Sequence, residues 1–187
     1  MTRPQLSPSV SALGTVYWIT GLSGSGKTTI ARLFANAVQS RGGRPILLDG
    51  DELRDVLGQS FGYTSEERLR LAMVYCRLCR SLASQGFDVI IATVAMFSAI
   101  RDWNRNNLGS YREIYLRVPI QVLIQRDPKE IYSRAQRGEI SNVVGIDVPI
   151  DEPRTPDLII DNFGSCTPER AVDRILSEVW NADGRHV

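Results

Sequence analysis

Gly21-Leu22-Ser23-Gly24-Ser25-Gly26-Lys27-Thr28 fits the spacing G-x-x-x-x-G-K-[ST] at every fixed position. Glycines so spaced let a backbone curl until several N–H groups aim at one anion. A helix that begins at the same point adds partial positive charge there. Lys27 would then reach the outer phosphates of a nucleotide, and the Thr28 hydroxyl would ligate magnesium. The candidate contacts to the nucleotide's phosphates are Gly24, Ser25, Gly26, Lys27, Thr28 and Thr29. The competing reading is a glycine-rich turn that happens to hold a lysine.

Two carboxylates follow a second apolar run. Ile46-Leu47-Leu48 reads as a short strand, with Asp49-Gly50-Asp51 at its carboxyl end. Phosphoryl transfer needs charge neutralisation, an in-line acceptor and a group that orients the acceptor hydroxyl. Asp51 could take the hydroxyl proton or hold it in line, and Asp49 is better placed to hold magnesium-bound water. Their bland reading is a polar turn, with Asp51 capping the following helix.

These groups need a frame. Val16-Tyr17-Trp18-Ile19-Thr20, Ile46–Leu48, Val89–Thr93, Ile114–Val118 and Leu158–Ile160 are apolar or β-branched runs that predict strands. Between them lie helical patterns. One has Ile30, Leu33, Phe34 and Ala37 on one face. A longer one opens at Thr64 as N-cap with Glu67 at the capping-box position, and carries Leu69, Ala72, Met73, Cys76, Leu78, Cys79 and Leu82. Ser98–Asn107 and Ile120–Arg126 are further helices, and Thr167-Pro168 begins the last. Continuous apolar strands alternating with helices predict an α/β fold, a parallel sheet flanked by helices on both faces. Ligands bind beyond the carboxyl ends of such strands. That places the Gly21–Thr28 loop, Asp49, Asp51 and Thr93 along one edge.

From Asp127 to Glu152 charged and small residues dominate, which predicts a short helix and then an ordered loop lying over the site as a small lid segment. A single domain over residues 15–182, with its lid at about 127–152, is expected to follow a mobile polar tail over residues 1–14. The 187 residues suffice for one sizeable core, and a hydrophobic fraction of 43% with a net charge of +1 is ordinary for a globular chain. That charge gives no electrostatic reason for a nucleic-acid partner. No apolar run approaches the length of a membrane span, and no secretory h-region opens the chain, so a cytoplasmic protein is expected. Three cysteines make no disulfide framework. Cys76 and Cys79 form a C-x-x-C inside the long helical pattern, where buried free thiols are the better reading than a redox or zinc pair. The only histidine is His186, so acid–base work must fall to carboxylates or lysine.

Other nucleotide-binding classes fit less well. A GTPase switch would need a guanine-reading N-K-x-D, which the chain lacks. A motor or AAA-type ATPase would want an acidic pair at a strand end. Leu158-Ile159-Ile160-Asp161-Asn162 supplies half of it, but Asn162 breaks the pair. A small-molecule kinase with its own lid fits better, and a catalytically silent nucleotide-binding module that regulates a partner is the alternative from another class.

At this point the residues resemble a known family, the adenylylsulfate (APS) kinases. The phosphate loop through Thr29, Leu48-Asp49-Gly50-Asp51-Glu52-Leu53-Arg54, Arg126-Asp127-Pro128-Lys129-Glu130-Ile131-Tyr132 and Gly138-Glu139-Ile140-Ser141-Asn142 carry the resemblance. Gly145-Ile146-Asp147-Val148-Pro149 and Glu152-Pro153 continue it, so that it covers most of the chain from Val16 to Ile160. It implies a P-loop NTPase/kinase fold, ATP and Mg2+, and transfer to the 3′-hydroxyl of a nucleotide. It implies that Asp51 orients that hydroxyl, that Arg54 and Arg68 hold the acceptor's phosphate portion, and that Tyr63 stacks on its base. Arg126 and Lys129 would belong to the ATP side and the lid, with Lys129 reaching the substrate from there. The family's common dimers imply a homodimer.

The departures gather where the acceptor should bind. Leu71 stands at the family's asparagine, Met73 and Val74 where arginines are common, and Val94-Ala95-Met96-Phe97-Ser98 where the family has I-S-P-[FY]-R. Val143 aligns with a lid phenylalanine that stacks on the adenine of APS. Losing one stacking face removes about 1–3 kcal/mol of base recognition. Asn142-Val143-Val144-Gly145 with Trp103-Asn104-Arg105-Asn106 resembles an APS-kinase-like branch associated with surface-polysaccharide biosynthesis. One activity in that branch is cytidine diphosphoramidate kinase, whose smaller pyrimidine suits Val143. The expected acceptor is therefore a CDP-linked phosphoramidate, with APS as the alternative.

Overall fold

Alternation within the central strand decides how the layers form. In β1 (Val16–Thr20), Tyr17 and Ile19 face one side of the sheet while Val16 and Trp18 face the other, and all four are fully buried. The computed structural model describes residues 13–57 and 61–184. The expected tail thus lies, for residues 1–12, outside the described residues, as does His186.

The remaining strands are β2 (Pro45–Asp49), β3 (Asp88–Thr93), β4 (Tyr111–Arg117) and β5 (Leu158–Asp161). All pairings are parallel, in the order β2-β3-β1-β4-β5. The helices are α1 (Lys27–Ser40), α2 (Gly50–Val56), α3 (Ser65–Ala83), α4 (Ser98–Asn107), α5 (Ile120–Arg126), α6 (Ile131–Gln136) and α7 (Pro168–Ile175). β4 begins three residues before the apolar run that predicts it, because Tyr111 and Glu113 pair with β1 at Val16 and Trp18.

One face of the sheet is covered by α1 and α7. Ile30, Phe34 and Val38 from α1 meet Ala171 and Ile175 from α7 over Tyr17, Ile90 and Ile114. The true seam of α1 also takes Ala31 and Ala35, while Leu33 and Ala37 pack only at its margin. Beyond α7 a π-helical turn (Leu176–Trp180) brings Trp180 back over Tyr17 and Phe34, with ring centroids 6.0 and 6.2 Å away. Such wide turns let a large ring reach a position that regular helical spacing would miss.

The other face carries α3 and α4. The capping box forms as expected, with Glu67 N–H donating to Thr64 Oγ1 and the Glu67 carboxylate accepting from the Thr64 N–H. The buried face of α3 is Leu71, Ala72, Tyr75, Cys76, Cys79 and Ala83. It is rotated from the expected stripe, because Leu71 and Tyr75 turn inward and Leu69, Met73 and Leu82 stay at the edge. A third apolar cluster lies under the lid. Leu22, Met96, Tyr115, Val118 and Leu123 meet Tyr132 and Val143 there, with Ile131, Ile140, Val144 and Ile150 around them. The lid therefore has an apolar anchor that its charged composition does not suggest.

Candidate active site

Parallel pairing puts the ends of β1, β2 and β3 side by side, so the loop after β1 meets the carboxylates after β2. The loop's path requires glycine at its two ends. Gly21 has φ +152 and a Cβ there would lie 2.6 Å from Leu116 O; Gly26 has φ +91 and caps α1. Lys27 Nζ folds along the loop and donates to Leu22 O at 2.7 Å. Burial against these walls pushes its pKa down to about 8, although the Asp51 charge pulls the other way. A lysine so desolvated gains strongly when an anion is placed beside it. Thr29 is exposed on the first turn of α1.

Thr28 Oγ1 donates to Asp49 Oδ2 at 2.6 Å. The other oxygen of Asp49 accepts the Asp51 N–H at 2.9 Å and so caps α2. The helix cap is Asp49, not Asp51. Asp49 is 8% exposed, whereas the Asp51 side chain is 71% exposed. A hydroxyl and a carboxylate already in contact are hard oxygen donors, which suits magnesium held by few protein ligands and by phosphate oxygens. Tyr75 from α3 fixes the start of α2 by donating its hydroxyl to Gly50 O at 2.8 Å. Nothing in the sequence pattern marks Tyr75 for this.

Across the cleft, the lid supplies Lys129, whose Nζ pairs with the Asp51 carboxylate. That bond raises the Lys129 pKa, with burial opposing it. Tyr63 is 58% exposed, with two guanidinium groups near its ring. Those of Arg54 and Arg68 lie 4.6 and 5.5 Å from its ring centre. Arg54 is held by Phe61 O and Gly62 O at 2.7 and 3.0 Å. Arg68 is held by Tyr63 O at 2.8 Å and by Asn142 O of the lid at 2.5 Å. Burial and the Arg54 charge together lower the Arg68 pKa, so the pair favours an anion.

The lid reaches this cluster through its backbone. Asn142 adopts φ +63, and Asp147 braces the turn by accepting the Asn142 and Val143 N–H groups at 2.6 and 2.5 Å. The Val143 side chain points away from solvent, only 6% exposed, into the cluster beneath the lid. Leu71 is likewise core, and Met96 packs under the lid. On the opposite side of the loop, Arg126 at the end of α5 donates to Asn162 O at 3.0 Å. Asn162 in turn donates to Ser25 O. Cys76 and Cys79 are buried free thiols, and burial pushes the Cys76 pKa up to about 12 and that of Cys79 higher.

The adenylylsulphate kinase family model matches residues 13–161. The chain belongs to the adenylylsulphate kinase family. A cytidine diphosphoramidate kinase of Campylobacter jejuni is 40% identical over 164 residues, covering 88% of this chain and 95% of the relative. An adenylyl-sulfate kinase of Bacillus velezensis is 35% identical over 97% of this chain and 93% of its own. Among solved structures, the Mycobacterium tuberculosis APS kinase in complex with AMPPNP and APS superposes with a TM-score of 0.83 at 28% identity. That match covers 90% of this chain and 98% of the other. Like its family, the chain is an ATP-binding P-loop kinase that phosphorylates a hydroxyl group. No helix among the described residues is long and apolar enough to cross a membrane.

Proposed function

We propose that this kinase transfers the terminal phosphoryl of ATP to the ribose 3′-hydroxyl of a CDP-linked phosphoramidate. One observation supports the site assignment: the exposed Asp51 lies in the first turn of the short helix that is capped by the Thr28-bonded Asp49 and that also carries Arg54, whose guanidinium lies over the Tyr63 ring. The donor phosphates lie on Gly24, Ser25, Gly26, Lys27, Thr28 and Thr29, and Arg126 belongs to the ATP side. The acceptor's phosphate portion lies on Arg54 and Arg68, its base on Tyr63, and Lys129 closes over it. The hydroxyl proton passes to Asp51 as the acceptor oxygen bonds to the terminal phosphorus. The bond from that phosphorus to the bridging oxygen breaks, and ADP leaves. Thr28 and Asp49 would hold Mg2+, which supplies neutralisation of phosphate charge.

The acceptor assignment draws on the 40% identity to a cytidine diphosphoramidate kinase and on the buried Val143, which leaves Tyr63 as the one aromatic at the cleft mouth among the proposed contacts. One stacking face suits a pyrimidine better than an adenine. The reading extends to a cytoplasmic enzyme of capsular polysaccharide modification that acts as a homodimer. The second reading is APS kinase itself, favoured by the 35% identity to an adenylyl-sulfate kinase along nearly the whole chain. Initial rates with ATP and either acceptor separate them. Turnover of APS with no transfer to the cytidine compound overturns the first reading. ATP binding with transfer to neither acceptor leaves the silent module.

A further inference from the structure

Asn162 ends the strand run that an acidic pair would have to complete, and its side chain does other work. It lies just past β5, 7% exposed, and its Nδ2 donates to Ser25 O at 2.8 Å across 137 positions of sequence. The contact is close: a Cβ on Gly26 would stand 2.7 Å from that nitrogen. The backbone of Asn162 is fixed as well, its N–H on Arg117 O at 3.0 Å and its carbonyl accepting from Arg126 at 3.0 Å. One turn of the loop earlier, Tyr132 of the lid donates its hydroxyl to Ser23 O at 2.8 Å. Tyr132 is 1% exposed, so its ring is held by packing.

In a trans peptide the C=O and N–H point in opposite directions. Holding the Ser25 carbonyl toward β5 therefore turns the Gly26 N–H away from β5, and holding the Ser23 carbonyl toward α6 turns the Gly24 N–H away from α6. We infer that Asn162 and Tyr132 are positioning residues for the donor nucleotide, clamping two carbonyls of the phosphate loop outward so that the next N–H groups are presented to the phosphates. Asn162 also ties the loop to the end of α5, because its own carbonyl holds Arg126 while its amide holds the loop. This inference rests on the reading of Gly21–Thr28 as the ATP loop. Neither side chain touches the reacting atoms.

The test is calorimetric titration of ADP into wild type, Asn162→Asp and Tyr132→Phe, with the melting temperature of each unliganded protein. Asn162→Asp keeps the shape and replaces the donor by an acceptor facing Ser25 O. Tyr132→Phe removes one hydroxyl and leaves the ring. ADP affinity should fall about tenfold or more in each variant, while the unliganded melting temperature stays within a few degrees of wild type. Wild-type affinity in both folded variants overturns the inference. If Asn162→Asp does not fold, Tyr132→Phe decides: unchanged ADP affinity there overturns the clamp and a tenfold loss supports it. Failure of the wild-type protein to bind ADP would instead remove the donor-site reading, and the clamp with it.

Discussion

Lys129 of the lid and Asp51 of α2 form an ion pair, joining two segments 78 residues apart in sequence. The same carboxylate is the one proposed to receive the acceptor proton, and on that proposal the lid touches the reaction centre directly. Asp51→Asn keeps the shape but cannot take a proton. It should leave ADP affinity within about twofold and lower kcat by about 10²–10⁴-fold, the usual range for a lost general base. Steady-state rates beside an ADP titration check this, and full activity would remove Asp51 from its role.

The lowered pKa of Lys27 gives a pH dependence with a definite sign. Its folded value of about 8 lies below the ordinary 10.5, so between these the unfolded chain holds the extra proton. Stability from this group should therefore rise with pH from about 8 to 10.5, while nucleotide affinity falls as the ammonium is lost. Binding near pH 8 should take up a proton, which calorimetry in buffers of different ionisation enthalpy detects. Lys27→Ala should abolish that uptake and reduce turnover sharply. Unchanged transfer in the variant would contradict the assignment.

Tyr63, framed by Arg54 and Arg68, makes a prediction about the acceptor alone. Tyr63→Ala should cost about 1–3 kcal/mol of base stacking, a rise of roughly 5–150-fold in acceptor KM. ADP affinity should not move. Equal loss for both ligands would mean the ring supports the fold rather than the base.

The thiols offer a check on the core. Cys76 and Cys79 are fully buried with raised pKa values, while Cys166 is half-buried near the start of α7. Thiolate chemistry needs access and ionisation. A colorimetric thiol reagent should label Cys166 first in the folded protein, and reach the other two only on unfolding. Rapid labelling of all three would show that the α3 face opens in the native state.

Much of the fold was readable from local pattern. The five apolar runs became five parallel strands, and Thr64 with Glu67 formed the capping box that opens α3. Such signals are local: a strand's composition or a cap's spacing depends on residues within one or two turns. The inward face of α3 was readable only in part, because Leu71 and Tyr75 differ from Leu69 and Met73 by a rotation that the sheet beneath α3 sets. The lid cluster was missed for a similar reason. Its partners Leu22, Met96, Tyr115 and Leu123 come from distant parts of the chain.

The sequence by itself determined the phosphate loop, the two carboxylates and the family, since each is written in contiguous residues of fixed type and spacing. Only the tertiary structure decided that Asp49 rather than Asp51 caps α2, that Val143 turns inward, and that Asn162 holds Ser25 across 137 positions. Those outcomes depend on which strand lies beside which, and on where a buried polar group finds its partner. A one-dimensional pattern carries neither quantity.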